Sequence, residues 1–175
     1  MSDFEFKLLY SRERIAAEVA RVGREISRDY EGREVVLVGV LKGSFLFVAD
    51  LIRQINPAVV VDFVRLASYG SQMSSAGIVE MRKDLEISIR DRDVIIVEDI
   101  VDSGYTLDYL CNKLSLKNPR SLKVCTLIDK RGGREMDIEA DYVGLSMEDG
   151  FVVGYGLDYD ENYRDLPEIY LVEKA

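Results

Sequence analysis

Three carboxylates and a short run of small, hydroxyl-bearing residues lie close together near the middle of the chain. The stretch VIIVEDIVDSGYTL (residues 94–107) begins as an apolar run typical of a buried strand, and Glu98 and Asp99 close that run. Asp102 follows three residues later and opens a Ser-Gly-x-Thr sequence. Backbone N–H groups at a glycine-containing turn into a helix, with hydroxyls beside them, can bind a monophosphate without a lysine. The stretch thus joins acids, which can accept protons or bind hydroxyls and metal ions, to a site for an anion.

The composition narrows the chemistry, because the 175 residues include no histidine. Ser-His-Asp and Cys-His catalysis and most zinc sites are therefore excluded, and any acid–base step must use a carboxylate, lysine or tyrosine. Cys111 and Cys125 have neither CxxC spacing nor histidine companions, so we expect both to be buried, reduced core residues. The net charge of −9 argues against nucleic-acid binding through bulk electrostatics and favours small-molecule partners.

The elements that must position these residues alternate along the chain. Strand-length apolar runs predict strands at residues 34–41, 59–66, 94–100 and 121–130, and helical spacing predicts helices over 12–29, 44–55 and 105–116, with Ser11 as the first N-cap. This alternation predicts an α/β fold, a parallel twisted sheet flanked by helices, with ligands bound beyond the carboxyl ends of the strands. A hydrophobic fraction of 47% is enough for the core of a single domain over residues 1–175.

Two segments depart from this alternation. Residues 67–84 are Ser- and Gly-rich in their first half, with few apolar anchors, and we predict a mobile loop there. Residues 141–175 mix short β-type runs with glycines and acidic turns, which predicts a small hood element over the active edge of the sheet. No apolar run is long enough to span a bilayer, and the N-terminus does not read as a signal peptide, so we expect a cytoplasmic protein.

Each part of the central stretch also has an ordinary structural role, since acids often end strands and Asp or Ser often caps a helix. The common phosphate fingerprints GxxxxGK[ST] and strand-GxGxxG are absent. Taken together, however, the two adjacent acids, the third acid and Ser-Gly-x-Thr form a long and specific string. This string closely resembles the phosphoribosyl-diphosphate motif of the phosphoribosyltransferases, and the resemblance implies the type I phosphoribosyltransferase fold with a mobile lid loop.

The resemblance implies a role for every residue of the string. Glu98 and Asp99 would engage the ribose 2′- and 3′-hydroxyls and the Mg²⁺ associated with them, so they face the sugar and not the phosphate. Asp102 would be the general base that accepts the N7 proton of a purine. The residues implied in binding the 5′-phosphate are Asp102, Ser103, Gly104, Tyr105 and Thr106.

The match extends further, because residues 34–172 follow the order of the hypoxanthine-guanine phosphoribosyltransferases. GVLKGSFLF resembles their diphosphate loop, in which Lys42 and Gly43 would bind diphosphate and a cis peptide bond is a further expectation. ASYGS resembles their flexible loop, whose Ser68 and Tyr69 would close over the reacting centre as a lid. The resemblance further implies Lys130 at the purine 6-oxo group, Phe151 stacked on the purine, Val152 meeting the base through its backbone, Asp158 toward Mg²⁺ and Arg164 toward diphosphate.

Three of these residues have simpler explanations. Phe151 could belong to the core, Lys130 could be a solvated loop cation, and Arg164 could pair with a neighbouring acid. If Lys130 does meet the base, its ammonium, which only donates, favours the 6-oxo group of hypoxanthine or guanine over the 6-amino group of adenine. Tyr105 and Gly150 occupy positions that vary within the family, which leaves the preference among hypoxanthine, guanine and xanthine open.

The resemblance therefore implies a purine salvage enzyme that transfers 5-phosphoribosyl from its diphosphate donor to hypoxanthine, and also to guanine, with Mg²⁺ as cofactor. It also implies a homodimer or homotetramer with the diphosphate loop near the subunit contact, and neither a membrane nor a nucleic-acid partner. The alternative is an RNA-binding, nucleotide-sensing regulator of the same fold. That alternative needs a basic surface, which a net charge of −9 disfavours.

Overall fold

The computed structural model describes residues 4–69 and 78–174. The strands in these ranges are β1 (Phe4–Tyr10), β2 (Val35–Leu41), β3 (Val59–Tyr69), β4 (Ile78–Lys83), β5 (Asp93–Val101), β6 (Ser121–Lys130), β7 (Tyr142–Met147), β8 (Phe151–Val153) and β9 (Ile169–Lys174). The helices are α1 (Arg12–Asp29), α2 (Phe45–Leu51) and α3 (Tyr105–Ser115). None of the helices in the described ranges is both long and apolar enough to cross a membrane.

The main sheet has the strand order β4-β3-β2-β5-β6-β7. The pairings from β3 through β7 are parallel, whereas β4 runs antiparallel to β3. The α/β prediction is confirmed, but the sheet is mixed and not wholly parallel. The reason is connectivity: only residues 70–77 separate β3 from β4, and a parallel neighbour needs a crossover of a dozen or more residues.

Strand β2 shows why helices must cover both faces of this sheet. Its residues are buried from Val35 to Val40, and successive side chains point to opposite faces. One face packs against α1, whose Val22 and Ile26 are fully buried, and the other packs against α3 through buried leucines. Burying one such side chain stabilises the fold by about 1.5–3 kcal/mol. The predicted apolar stripe of α1 therefore holds this helix against the sheet. Ser11 caps that helix as predicted, accepting from the Arg14 N–H at 3.3 Å.

A second, three-stranded antiparallel sheet has the order β1-β9-β8, and it is called the hood sheet below. Two of its strands come from residues 141–175, the segment predicted to form a hood element. The predicted bounds are wrong at their start, because β7 of the same segment pairs with β6 in the main sheet. The third strand, β1, was not predicted, although it pairs with β9 from Phe4 to Leu8 and again at Tyr10, with a register shift between them. Its partner lies at the far end of the chain, so the local sequence FEFKLLY carried no sign of that pairing.

The prediction of a mobile loop over residues 67–84 is wrong at both of its ends. Residues 67–69 complete β3 and residues 78–83 form β4, while residues 70–77 lie outside the described residues. Met81 packs against the α3 side of the core, and Lys83 Nζ donates to the Phe63 carbonyl at 2.8 Å. From Val79 to Lys83 half-buried and exposed residues alternate, a period-two strand pattern that the serine-rich beginning of the segment obscured.

Two smaller expectations also need correction. Helix α2 ends at Leu51 and not near residue 55. Cys125 is buried, but Cys111 on α3 is only partly buried. A residue near the edge of a helix's apolar stripe is half-covered by the sheet, and sequence spacing alone does not separate that case from full burial.

Candidate active site

The strand order of the main sheet changes direction between β2 and β5. Along the chain β2 is followed by β3 on one side, whereas β5 pairs with β2 on its other side. In open α/β sheets ligands bind at such a switch point, beyond the carboxyl ends of the strands. The loops that follow β2 and β5 carry residues 42–44 and 102–104, so the predicted diphosphate loop and phosphate turn share one end of the sheet.

Gly43 and Asp99 bring the β2 loop against β5. A Cβ added to Gly43 would lie only 1.6 Å from Asp99 Oδ2, so the contact requires glycine. The peptide bond between Leu41 and Lys42 is cis, as the resemblance implied for this tripeptide. On the other side, a Cβ added to Gly156 would lie 2.2 Å from the Gly43 carbonyl oxygen. The β2 loop is therefore held between Asp99 and the C-terminal segment.

The adjacent acids Glu98 and Asp99 lie within β5, which continues to pair with β6 as far as Val101. Glu98 is 8% exposed, and its Oε2 atom has no hydrogen-bond partner among the described residues. Burial raises the pKa of Glu98 well above its usual range, and the charge of Asp99 adds to that effect. Burial likewise raises the pKa of Asp99 to about 6, Asp158 adds to it, and Arg164 opposes it. A cation or a pair of hydroxyl donors would relieve both costs.

The turn after β5, predicted to bind the 5′-phosphate, leads directly into helix α3. Gly104 precedes α3 with φ 92°, a left-handed conformation natural to glycine, and its carbonyl accepts the Asp108 N–H at 2.9 Å. The Ser103 carbonyl accepts the N–H groups of Glu135 and Met136, each at 3.0 Å, which ties the turn to the loop after β6. A cavity of about 110 Å³ opens here, and it is lined by Glu98, Ile100, Val101, Asp102, Ser103, Gly104, Thr106 and Leu107. Tyr105 does not line that cavity, and its hydroxyl donates to Glu135 at 2.9 Å.

Asp102 and Lys130 meet across the ends of β5 and β6. Lys130 Nζ donates to Asp102 Oδ2 at 3.0 Å and lies 3.6 Å from Asp149 Oδ1. The Lys130 side chain is only 13% exposed, so the solvated-cation explanation is wrong, while that of Asp102 is 50% exposed. Behind Asp102, a Cβ added to Gly133 would lie 2.4 Å from Oδ1. The site thus presents a donor and an acceptor side by side at its open face.

Phe151 stands at the rim of the site, at the start of β8. It is 47% exposed, so the alternative of a core residue is wrong. Its ring meets that of Tyr159 edge-on, with centroids 5.7 Å apart, and Tyr159 meets Phe4 of β1 in the same manner. Val152 is buried beside it and pairs with Leu171 of β9. The hood sheet therefore holds an aromatic face open to solvent.

The two cations predicted for diphosphate share one acid. Glu161 accepts from Lys42 Nζ at 2.8 Å and from Arg164 Nη2 at 3.1 Å. Arg164 also forms an ion pair with Asp158 at 2.8 Å and donates to the Gly156 carbonyl at 2.7 Å. The simpler explanation for Arg164, a pair with neighbouring acids, thus describes the free protein. Arg164 nevertheless lies near enough to lower the pKa of Asp99, so it also belongs to the site.

Ser68 and Tyr69 close β3, where their backbones pair with Val79 and Ile78 of β4. The structure brings them to the carboxyl end of the sheet, the same end as the diphosphate loop, because β3 is parallel to β2. The tip of the predicted lid, residues 70–77, is outside the described residues. The predicted role of Ser68 and Tyr69 over the reacting centre therefore stays a prediction.

Several groups that contact the predicted site residues were not predicted from the sequence, among them Arg134 and Glu161. Arg134, the last residue of LIDKRGGR, donates to the backbone carbonyls of Asp102 and Lys130, and Glu161 joins the two cations predicted for diphosphate. The sequence signal for Arg134 was its place in the same string as Lys130. Glu161 had none, because its partners are Lys42 on a distant loop and an arginine in its own acidic turn.

The described residues contain no ready-made cluster of three or more acidic, cysteine or histidine side chains around a metal position. Glu98, Asp99 and Asp158 therefore do not form a closed cage. An unpartnered, buried Glu98 oxygen beside Asp99 nevertheless fits an ion that takes most of its ligands from a substrate and water, as Mg²⁺ does.

Comparison with known proteins agrees with this geometry. The phosphoribosyl transferase domain family matches residues 7–160. The chain therefore belongs to the phosphoribosyltransferase family. The hypoxanthine-guanine phosphoribosyltransferase of Bacillus subtilis is 45% identical over 97% of this chain and 94% of that protein. The resemblance to this branch of the family is thus confirmed.

A solved structure and a longer relative extend the comparison. The crystal structure of a hypoxanthine-guanine phosphoribosyltransferase from Bacillus anthracis with HEPES in its active site superposes with a TM-score of 0.92, at 46% identity over 95% of this chain and 99% of that one. The bifunctional TilS/HprT protein of Listeria monocytogenes is 44% identical over 95% of this chain. The chain spans only 26% of that bifunctional protein.

Proposed function

We propose that this chain transfers the 5-phosphoribosyl group from 5-phosphoribosyl 1-diphosphate to hypoxanthine, and also to guanine, in purine salvage. The products are IMP or GMP and diphosphate. The observation that carries the proposal is the pair formed by Lys130 Nζ and Asp102 Oδ2, 3.0 Å apart beside the phosphate turn. O6 and N7 lie on one edge of a 6-oxopurine. The Lys130 ammonium can donate to O6, and the neighbouring Asp102 carboxylate can accept from a protonated N7 on the same edge.

Asp102 accepts the N7 proton while N9 forms its bond to C1′ of the ribose. The bond from C1′ to the diphosphate oxygen breaks in the same step, and its electron pair leaves with the diphosphate. The carboxylates at the site also favour the cationic ribose of the transition state. Lys130 must exchange its contact with Asp102 for the purine O6, which frees the carboxylate for the proton only once a base has bound.

The same lysine accounts for the choice of base. The 6-amino group of adenine would face the Lys130 ammonium, and both groups are hydrogen-bond donors. A site built to donate to a 6-oxo group strongly rejects an analogue that has no acceptor at that position. Phe151, half-exposed at the start of β8, is available to stack on the purine, and the backbone of Val152 lies beside it.

The donor takes the remaining groups of the site. Its 5′-phosphate occupies the turn formed by residues 102–106, and its ribose hydroxyls meet Glu98 and Asp99. Its diphosphate displaces Glu161 from Lys42 and Arg164, next to Gly43. Ser68 and Tyr69 approach from the end of β3 to exclude water from the reacting centre.

Mg²⁺ is the cofactor proposed for this reaction. Glu98, Asp99 and Asp158 would hold it, and it would supply positive charge between the diphosphate and a strongly acidic protein. The support is the chemistry of the donor set: Glu98 is buried with an unpartnered oxygen, and the pKa of Asp99 is raised by burial and by Asp158.

A panel of bases tests the function directly. Hypoxanthine, guanine, xanthine, adenine and uracil are each supplied with the diphosphate donor and Mg²⁺, and nucleotide formation is followed spectrophotometrically. We expect turnover with hypoxanthine and guanine and at least about a 10⁴-fold lower kcat/KM with adenine. Absence of turnover with every 6-oxopurine would exclude the proposal, and turnover with uracil would place the chain in another branch of the family.

We further propose a homodimer or a tetramer built from dimers, working in the cytoplasm without membrane or nucleic-acid partners. Phe45, 40% exposed at the start of α2, adjoins the diphosphate loop and offers an apolar surface for that subunit contact. The two cysteines form no disulfide, which suits a reducing compartment.

A further inference from the structure

Arg134 occupies a central place among the loops of the active site. Its Nε donates to the Asp102 carbonyl at 2.9 Å, and its Nη2 approaches the Val101 carbonyl at 3.4 Å. The same Nη2 approaches the Lys130 carbonyl at 3.4 Å and pairs with the Asp129 carboxylate. One guanidinium therefore contacts the loop that carries the proton acceptor and the strand end that carries the purine-recognising lysine.

The charge of Arg134 is largely buried and is balanced by a buried carboxylate. Its side chain is only 19% exposed, and that of Asp129, its counter-ion, is 10% exposed. A buried charge is costly unless it is paired and hydrogen-bonded, and here the carboxylate and the carbonyls satisfy the guanidinium. Nη1 adds a bond to the Ile138 carbonyl at 2.6 Å, which fixes the far side of the loop after β6.

A planar guanidinium with five donors suits this task, since a lysine ammonium cannot reach acceptors on several loops with a fixed relative geometry. The phosphate turn has its own tether, because the Ser103 carbonyl accepts backbone N–H groups of Glu135 and Met136. Loss of the Arg134 bonds should therefore loosen Asp102 relative to Lys130, while residues 103–106 of the phosphate turn keep the tether at Ser103.

We propose that Arg134 is a positioning residue that fixes the Asp102 carboxylate relative to the Lys130 ammonium, so that the two meet N7 and O6 of one purine together. The proposal rests on the function proposed above. Arg134 itself touches no substrate in this scheme, and its effect passes through the two residues whose backbone it holds.

The proposal predicts a distinctive kinetic pattern. A small misplacement of reacting groups costs about 10²-fold in rate, so a loosened pair should lower kcat. Because base recognition needs both groups, the ratio of kcat/KM for hypoxanthine over adenine should fall as well. Donor affinity should stay close to that of the parent protein, since the phosphate turn is tethered separately. A purely structural arginine would lower the thermal midpoint without altering the preference between bases.

Arg131 provides a matched control. It pairs with the same Asp129, Nε to Oδ2 at 3.0 Å, but its side chain is 65% exposed and, among the described residues, forms no hydrogen bond to Asp102 or Lys130. Arg134→Lys and Arg131→Lys therefore make the same chemical change beside the same carboxylate. They differ in whether the bonds to the backbone of Asp102 and Lys130 are lost.

The experiment measures kcat, KM for hypoxanthine, kcat/KM for adenine, donor Kd and the thermal midpoint for the parent and both variants. For Arg134→Lys we expect kcat to fall about 10- to 100-fold and the hypoxanthine-to-adenine ratio to fall about 10-fold, with donor Kd within about threefold. Arg131→Lys should match the parent. A folded Arg134→Lys whose kcat and base preference match those of Arg131→Lys would overturn the inference.

A second variant covers the case in which Arg134→Lys does not fold. Asp129→Asn keeps the shape of the counter-ion but weakens its hold on the guanidinium, and it should produce the same pattern with smaller changes. An Asp129→Asn protein with unchanged kcat and base preference would then overturn the inference. A parent protein that turns over no 6-oxopurine would instead refute the proposed function, so the two failures are distinguishable.

Discussion

Asp102 and Lys130 neutralise each other in the free protein, and this contact determines how the site can work. With Oδ2 3.0 Å from the Lys130 ammonium, the carboxylate already has a donor. In the proposed mechanism, a 6-oxopurine that takes over the ammonium through O6 releases the carboxylate for the N7 proton. Base recognition and proton transfer would then be linked through one ion pair, and single substitutions test each role separately.

Asp102→Asn should keep the donor's affinity but lower kcat by about 10²- to 10⁴-fold, because the amide has a similar shape and cannot accept the proton. Turnover measured under saturating substrates and donor Kd by calorimetry test this. Asp149→Asn, at the other acid near Lys130, is the control and should change kcat little. Full turnover by Asp102→Asn would remove Asp102 from the mechanism.

Lys130→Ala should weaken hypoxanthine binding while leaving donor affinity nearly unchanged, because its ammonium addresses only the base. Titrations of each substrate into the variant separate the two effects. Lys117→Ala, which removes a lysine paired with Asp84 on the surface, is the matched control. If instead the donor were lost and the purine retained, Lys130 would belong to the phosphate site.

Asp99 should make the ligand-free protein less stable as the pH rises. Its pKa, about 6 in the folded protein, exceeds the ordinary value of about 3.9, so the native state binds more protons than the unfolded state between these values. The free energy of unfolding therefore falls across that window and stays lowered above it. Asp99→Asn cannot ionise, so it should be more stable than the parent at pH 7.5, with a smaller difference at pH 4.5.

Urea unfolding with a chelator present, at both pH values, measures that difference. Asp160→Asn, at an exposed acid of the segment between β8 and β9, serves as the control. An Asp99→Asn protein that is less stable than the parent at pH 7.5 would contradict the assignment of burial as the cause of the raised pKa.

At the scale of elements, the site is assembled by loops that approach one another at glycines. Gly43 admits the carboxylate of Asp99, and Gly133 admits that of Asp102. Each contact joins the end of one strand to the loop after another, so a single Cβ would push a reacting carboxylate away from its place. The glycines are therefore part of the geometry of the site and not only of its turns.

Gly43→Ala should raise the KM for the donor, because its Cβ would lie 1.6 Å from Asp99 Oδ2 and force the carboxylate to move. We expect a loss of about 10²-fold in kcat/KM for the donor, the cost typical of a small misplacement. Gly32→Asn is the control, since Gly32 has open space around it and asparagine tolerates its positive φ. Equal steady-state constants for the two variants would show that the Gly43 contact does not matter to the donor.

At the scale of the whole molecule, a chain of net charge −9 is proposed to bind a polyanion, the diphosphate donor. Lys42 and Lys130 lie at the carboxyl end of the main sheet, and Arg164, from the segment between β8 and β9, shares Glu161 with Lys42. Backbone N–H groups and Mg²⁺ are proposed to add to this positive charge. The exposed Phe151 belongs to the second sheet. Repulsion from the remaining surface is screened over about 8–10 Å at physiological salt, so the local charges at the site decide binding.

The protein should sediment as a dimer or tetramer at micromolar concentration, with the diphosphate loop near the contact. Phe45→Glu, at an exposed aromatic residue next to that loop, should shift the distribution toward smaller species. Leu116→Glu, at an 80% exposed residue after α3, is the control and should leave the distribution unchanged. A parent protein that sediments as a monomer would refute the assembly.

Local pattern alone was enough for several features of this protein. The strands β2, β3, β5 and β6 and the packing face of α1 follow from apolar spacing, because the period of the side chains reports burial within a few residues. The sugar-phosphate string from Glu98 to Thr106 is contiguous, so its resemblance to the family could be recognised without any three-dimensional information. Lys130 and Arg164 were found only through their order along the chain.

Only the tertiary structure decided which distant residues meet. Glycine spacing does not reveal that Gly43 holds Asp99, and nothing near Phe4 indicates that β1 pairs with β9. The antiparallel β4, the bridge from Glu161 to Lys42 and the reach of Arg134 to the backbone of two loops were likewise invisible. The physical reason is that such contacts depend on sheet order and loop geometry, which are set by the packing of the whole core, whereas sequence pattern reports only the environment of one segment at a time.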